Sequence, residues 1–211
     1  MQTIYLCSFD GFLMPEFERA FEGFESDKVQ VKFHAGDMFD CNADIFVAPS
    51  NSFAFMDGGI DLQFAKNFPD LLKCRIQEHI AQGAEIPVGQ AMLVRTGSPK
   101  TICIAPTMRV PMILPDDTIN PYLAAKAAFF ALKKMKEHYN SLAIPGMGTG
   151  VGQVPYRKCA EQIRQAADDV WINRPPSNWA EAMYRHNLLT GEEDPQVNLQ
   201  NRSMRIRNPT E

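Results

Sequence analysis

Two glycine-rich segments of this 211-residue sequence have the residue types and spacing to bind an anion. The first loop (residues 49–61) ends in Gly58-Gly59-Ile60-Asp61, and the second loop (residues 146–152) has a glycine at every second position. Glycine lets the backbone approach a ligand closely and turn its N–H groups inward, and a helix that follows adds the positive end of its dipole. Two such loops facing each other predict a diphosphate held between them.

Neither loop matches the common nucleotide-binding motifs. No Gly-Lys-Ser/Thr follows either loop, which argues against a Walker A site and against triphosphate hydrolysis. The second loop reads Gly146-x-Gly148-x-Gly150-x-Gly152, whereas the dinucleotide fingerprint is G-x-G-x-x-G with an acidic residue about 20 positions later. A different kind of phosphate site is therefore indicated.

The elements that must position these loops alternate along the chain. Short apolar runs predict strands at 4–7, 29–34, 44–49, 91–95, 101–105 and 141–145. Longer amphipathic runs predict helices at 15–24, 59–82 with an interruption near Pro69, 121–138, 155–173 and 179–189. This alternation predicts an α/β protein with three α/β/α layers, in which helices cover both faces of a mixed, mostly parallel sheet. Ligands of such sheets sit beyond the carboxyl ends of the strands, which is where both loops and Gly36-Asp37-Met38 are predicted to lie.

Composition narrows the class of protein. The formal net charge of −4 and the pI of about 5.6 argue against general nucleic-acid binding. The five cysteines are scattered and the histidines lack metal-ligand spacing, so we expect neither a disulfide framework nor a metal or other cofactor. No apolar run approaches the roughly 20 residues needed to cross a bilayer, and the N-terminal segment lacks signal-peptide features. We expect one cytoplasmic domain over residues 1–190, followed by a flexible tail at 191–211.

The order of the motifs resembles the macrodomain family over roughly residues 29–167. Gly36-Asp37-Met38 is similar to the family's Gly-Asp-Ile/Leu turn. Val47-Ala48-Pro49-Ser50-Asn51, followed by Asp57-Gly58-Gly59-Ile60-Asp61, stands where members carry Val-Asn-Ala-Ala-Asn, a glycine run and Val-Asp. The second loop is similar to the phosphate loop Ile-Ser-Thr-Gly-Ile/Val-Phe/Tyr-Gly. The partner implied by the resemblance is ADP-ribose or an ADP-ribosylated macromolecule.

The resemblance also implies a role for each site residue. Asp37 would accept a hydrogen bond from the adenine amine beside the N–H of Met38, and the second loop would wrap the diphosphate. Asn51 would bind the distal ribose, and Asp61 would orient or deprotonate a water that attacks its anomeric carbon. The ligand-binding set is Asp37, Met38, Asn51, Gly58, Gly59, Ile60, Gly146, Gly148, Thr149, Gly150, Val151 and Gly152, and the catalytic pair is Asn51 and Asp61. Simpler interpretations stay open. Asp37 and Asn51 could each form a local turn, and Asp61 could be a negative charge that the dipole favours at the start of a helix.

Several departures from the family pattern leave the activity open. Ala48 replaces the first asparagine, Ala65 and Lys66 stand where a histidine is usual, and Gly152-Gln153 replaces an aromatic residue. A sub-branch pairs a helix lysine with an acid in the second loop, but residues 146–155 contain no Asp or Glu. The C-terminal part does not resemble the family's closing strand. The alternatives are hydrolysis of mono-ADP-ribose linkages or related esters, a non-catalytic ADP-ribose reader, an ADP-ribose 1″-phosphate phosphatase, and a scaffold that has lost the ligand.

Overall fold

The computed structural model describes residues 1–56, 58–69, 85–96 and 99–191. In these residues, six strands form one sheet: β1 (Gln2–Ser8), β2 (Val29–Ala35), β3 (Ile45–Ala48), β4 (Met92–Arg95), β5 (Thr101–Ile104) and β6 (Ser141–Ile144). The helices are α1 (Leu13–Ala20), α2 (Gly59–Asn67), α3 (Asn120–Lys134), α4 (Tyr156–Trp171) and α5 (Trp179–Thr190), with a short 3₁₀ turn at Met38–Asp40. Within the described ranges no helix is long and apolar enough to cross a membrane.

The sheet is mixed and mostly parallel, as predicted. Its strand order is β2-β1-β6-β3-β5-β4, and among the strands of the described residues only β4 runs antiparallel to its neighbour. Every residue of β3, β5 and β6 is buried, which explains why these strands are short runs of apolar residues without polar alternation. The parallel strands bring their carboxyl ends to one edge of the sheet.

Helices cover both faces of the sheet and complete the three layers. On one face α1, α3 and α4 pack against Ile4, Ile45 and Leu142. Alanines on α3 and α4 are fully buried and let these helices lie close together (Ala124, Ala125, Ala128, Ala160, Ala166 and Ala167). On the other face Phe64 of α2 packs with residues that include Phe46. The predicted α/β/α architecture is confirmed.

Several helix boundaries differ from the sequence prediction: α1 ends at Ala20 rather than residue 24, and α3 ends at Lys134 rather than residue 138. Two further differences have local reasons. The first helix begins at Leu13 rather than residue 15, because the Asp10 carboxylate accepts hydrogen bonds from the N–H groups of Phe12 and Leu13. Helix α2 ends at Asn67, and Phe68 is already non-helical before Pro69. The rest of the helix predicted at 59–82, Asp57 and the tail from residue 192 lie outside the described residues.

The N-terminal strand occupies an interior position. β1 pairs in parallel with β2 on one side and with β6 on the other. The family resemblance begins only at residue 29 and so does not include β1. In the sheet, however, β1 lies between β2, which precedes Gly36, and β6, which precedes the second loop. The segment after β1 therefore emerges at the same edge as the predicted ligand loops.

The burial of α3 predicts that replacing two adjacent phenylalanines of this helix will lower the free energy of unfolding by very different amounts. Phe129 is fully buried with its ring centroid 5.3 Å from that of Trp171, whereas the neighbouring Phe130 is 48% exposed. We expect Phe129→Ala to lower the free energy of unfolding by about 3–5 kcal/mol through lost burial and a residual cavity. The matched variant Phe130→Ala should lower it by less than about 1 kcal/mol. Urea unfolding followed by circular dichroism measures both, and equal losses would contradict this packing.

Candidate functional site

A groove runs along the edge where the carboxyl ends of β1, β2, β3 and β6 meet. It consists of two adjoining depressions with volumes of about 320 Å³ and about 470 Å³, a size typical of small-molecule sites. The two depressions share the lining residues Cys7, Phe9, Gly59, Ile60 and Pro145, so they form one continuous surface. Asp37 and Met38 line the larger depression. The smaller one is lined by the remaining predicted residues: Asn51, Gly58, Asp61, Gly146, Gly148, Thr149, Gly150, Val151 and Gly152.

Three carbonyl groups of the second loop accept hydrogen bonds from backbone N–H groups of the protein. The carbonyls of Gly148 and Gly150 accept from the N–H groups of Val154 and Gln153 at 3.1 and 3.0 Å, and Gly152 O accepts from Leu114 N–H at 3.0 Å. Within the described part of the chain, none of the backbone N–H groups of residues 148–152 donates to a protein acceptor. A run of backbone N–H donors without protein acceptors is able to bind an anion.

Glycine is required at two positions of this loop. Gly148 has a φ of 74°, in the left-handed region that side chains disfavour. At Gly152 a Cβ atom would lie 2.5 Å from the carbonyl oxygen of Gly148, too close for any side chain. The absence of the family's aromatic residue at this position therefore follows from how tightly this loop closes.

The first loop positions Asn51 at the start of a strained segment. Asn51 is 6% exposed and forms a bridge with Met108, and its side-chain oxygen accepts from Phe53 N–H at 3.0 Å. The turn interpretation therefore holds for the oxygen of Asn51, whereas its amide nitrogen donates to no described residue. Ala54 and Met56 have positive φ values of 51° and 34°, a conformation that costs energy and is concentrated at functional sites.

The first turn of α2 faces the same depression. Its N-cap is Gly58, which offers no side-chain cap, so the positive end of the helix dipole lies at this depression. Asp61 lies in this turn and is 9% exposed. Asn51 and Asp61 thus line one end of the groove together.

Asp37 and Met38 lie at the opposite end of the groove. The Asp37 carboxylate accepts from Phe39 N–H at 3.0 Å and starts the 3₁₀ turn, as the local-turn interpretation predicts. Its second oxygen accepts from no described residue. Met38 is 4% exposed, and the ring of Phe39 packs 5.0 Å from that of Phe64, which anchors the turn to α2.

Two groove residues in the segment after β1 were not predicted from the sequence. Phe9 is 88% exposed and lines both depressions, and Asp10 lines the smaller one. Burial acts to raise the pKa of the Asp10 carboxyl, but the N–H groups of Leu13 and Phe12 and the hydroxyl of Tyr156 outweigh it and hold that pKa below its usual range. Asp10 is therefore ionised at neutral pH. The signal in the sequence was its place just beyond a strand at the ligand edge.

Lys66, Cys7 and Cys41 have reactive side-chain types but do not belong to the predicted set of site residues. Lys66 is exposed and lines neither depression. The thiols of Cys7 and Cys41 lie 3.5 Å apart, and burial raises both pKa values, so both are protonated at neutral pH. The described residues contain no group of three or more His, Cys, Asp or Glu side chains placed to hold a metal ion.

Comparison with known proteins agrees with this architecture. A family model described as the Macro domain matches residues 47–163. An uncharacterized protein of Aquifex aeolicus is 34% identical over 143 residues, covering 65% of this chain and 82% of that protein.

Two solved structures share the fold. The macrodomain of Mycobacterium tuberculosis DarG has a TM-score of 0.58 at 20% identity, covering 65% of this chain and 89% of that one. Thermosipho africanus DarTG in complex with ADP-ribose has a TM-score of 0.53 at 20% identity, covering 62% of this chain and 36% of that one. Because the family model spans more than half of the sequence, the chain belongs to the macro domain family.

Proposed function

We propose that the groove binds ADP-ribose, with the diphosphate held by the second loop. The observation that carries this proposal is the run of N–H groups at residues 148–152, which have no protein acceptor in the described chain and line the depression that α2 also faces. Backbone N–H groups and a helix N-terminus together favour an anion. The similar T. africanus protein in complex with ADP-ribose supports this choice of ligand.

The remaining groups of the groove match the other parts of ADP-ribose in order. The second oxygen of the Asp37 carboxylate accepts from the exocyclic amine of adenine, and exposed Phe9 offers an aromatic face at that end. Asn51 and the Gly58-Gly59 pair lie at the other end, where the distal ribose follows the diphosphate. Adenine, diphosphate and distal ribose each have matching groups along the groove.

Calorimetric titration tests the binding proposal. We expect ADP-ribose to bind in the micromolar range, about −8 kcal/mol at 1 μM, and more tightly than AMP or NAD. Asp37→Ala should weaken binding about tenfold or more, because a charged hydrogen-bond acceptor is lost. The matched control is Asp40→Ala, since Asp40 is exposed in the same 3₁₀ turn and lines neither depression. No heat and no rise in melting temperature with ADP-ribose would contradict the proposal.

A second candidate function, hydrolysis of mono-ADP-ribose linkages, is favoured by a specific observation at the distal end. Asp61 is only 9% exposed and lines the same depression as Asn51 and the N-terminus of α2. In this proposal Asp61 accepts a proton from a water whose oxygen attacks the anomeric carbon of the distal ribose. The bond from that carbon to the modified macromolecule breaks, and the electron pair departs with the leaving group.

Substitution of Asp61 separates binding from turnover. We expect Asp61→Asn, which keeps size and polarity, to slow release of ADP-ribose from mono-ADP-ribosylated protein about 100-fold, while the dissociation constant for ADP-ribose changes less than about threefold. Unchanged turnover in Asp61→Asn would contradict the proposal that this carboxylate accepts a proton from the attacking water.

A panel of substrates distinguishes a hydrolase from a reader and from a phosphatase. Carboxylate-, hydroxyl- and guanidinium-linked ADP-ribose are tested with the unaltered protein. Tight binding with no turnover on all three would establish a reader. Release of inorganic phosphate from ADP-ribose 1″-phosphate, without cleavage of the protein linkages, would establish a phosphatase instead.

A further inference from the structure

The carboxylate of Asp10 lies between the two ends of the groove. β1 pairs with β2 and with β6, and the carbonyl of Ser8 accepts from Gly36 N–H at 2.9 Å. The segment that follows β1 is therefore held between the Asp37 end and the second loop. Asp10 lines the same depression as Gly146 and Thr149.

The order of groups in ADP-ribose assigns a partner to this position. If adenine lies at Asp37 and the diphosphate at the second loop, the group between them is the proximal ribose, which carries the 2′ and 3′ hydroxyls. We propose that Asp10 binds this diol and excludes ligands that are phosphorylated at the 2′ position. This inference rests on the proposed ADP-ribose function and adds a specificity to it.

The hydrogen bonds of Asp10 leave room for the diol. One oxygen accepts from the N–H groups of Phe12 and Leu13, both at 3.1 Å, and the other accepts from the hydroxyl of Tyr156 at 3.2 Å. A carboxylate has about four lone-pair sites, so the oxygen that faces Tyr156 retains capacity for a ribose hydroxyl. The hydrogen bonds also fix the carboxylate in one orientation and keep it ionised.

A 2′-phosphate would meet charge repulsion here without compensation. Dinucleotide folds use an acidic residue to bind an unmodified ribose diol and an arginine to accept a 2′-phosphate. Among the described residues that line the two depressions there is no lysine or arginine. A phosphate carrying about −1.5 to −2 charge would then face the Asp10 carboxylate, with no lysine or arginine among these described lining residues.

Paired titrations with ADP-ribose and 2′-phospho-ADP-ribose test this specificity. At low ionic strength, where the exposed carboxylate is least screened, we expect the 2′-phosphorylated compound to bind about tenfold or more weakly. Asp10→Asn keeps an oxygen that caps α1 but removes the charge, so it should reduce the difference to about threefold or less. The ratio of the two dissociation constants is the readout, because a structural defect would weaken both ligands alike.

Asp27→Asn is the matched control, since Asp27 is exposed and precedes β2 at the opposite edge of the sheet. It changes net charge equally and should leave the ratio unchanged. ADP-ribose binding without discrimination in the unaltered protein, or an unchanged ratio in Asp10→Asn, would overturn the inference alone. Failure of the unaltered protein to bind ADP-ribose would instead overturn the proposed function, and this inference with it.

Discussion

Parallel pairing of β6 with both β1 and β3 is the constraint on which the groove depends. Because all three strands run the same way, the segments that follow them emerge side by side at one edge of the sheet. Those segments are the loop that carries Asp10, the first loop and the second loop. The pairing of β1 with β2 adds the Asp37 turn to the same edge. Residues separated by more than a hundred positions in sequence thus form one site.

The loops at this edge are held by backbone contacts. In the second loop the carbonyls of Gly148, Gly150 and Gly152 accept hydrogen bonds within the protein, whereas the N–H groups of residues 148–152 donate to no acceptor in the described chain. The first loop is tied to the strand-end segment at Met108 through Ser52 N–H. Positive φ values at Ala54 and Met56 in the first loop, and at Gln153 directly after the second loop, show where the backbone bears strain. Under the proposed function, loops held in this way would reduce the entropy that ligand binding must overcome.

The sequence predicted the sheet well because its central strands are unambiguous. Ile45–Ala48 and Thr101–Ile104 are short apolar runs bounded by turn residues, and burial on both faces leaves no polar alternation to confuse the pattern. The two glycine loops were also predictable, since closely spaced glycines after a strand are typical of a backbone that approaches a ligand. The roles proposed for the residues in these loops came from the family resemblance.

Other parts of the site depend on long-range geometry that local patterns do not carry. Asp10 stands in a segment without a glycine-rich motif, and its position follows from the pairing of β1 with a strand that begins at Ser141. The need for glycine at 152 arises from the carbonyl of Gly148, which depends on how the loop closes. Whether Lys66 faces the groove is set by the orientation of α2 on the sheet, and the structure leaves it exposed.

The most direct measurement is a ¹H–¹⁵N correlation spectrum recorded during titration with ADP-ribose and, separately, with adenosine. If the second loop holds the diphosphate, the amide resonances of Gly148, Thr149, Gly150, Val151 and Gly152 shift strongly with ADP-ribose and little with adenosine. ADP-ribose binding that leaves these five amides unchanged would contradict a diphosphate site in the second loop.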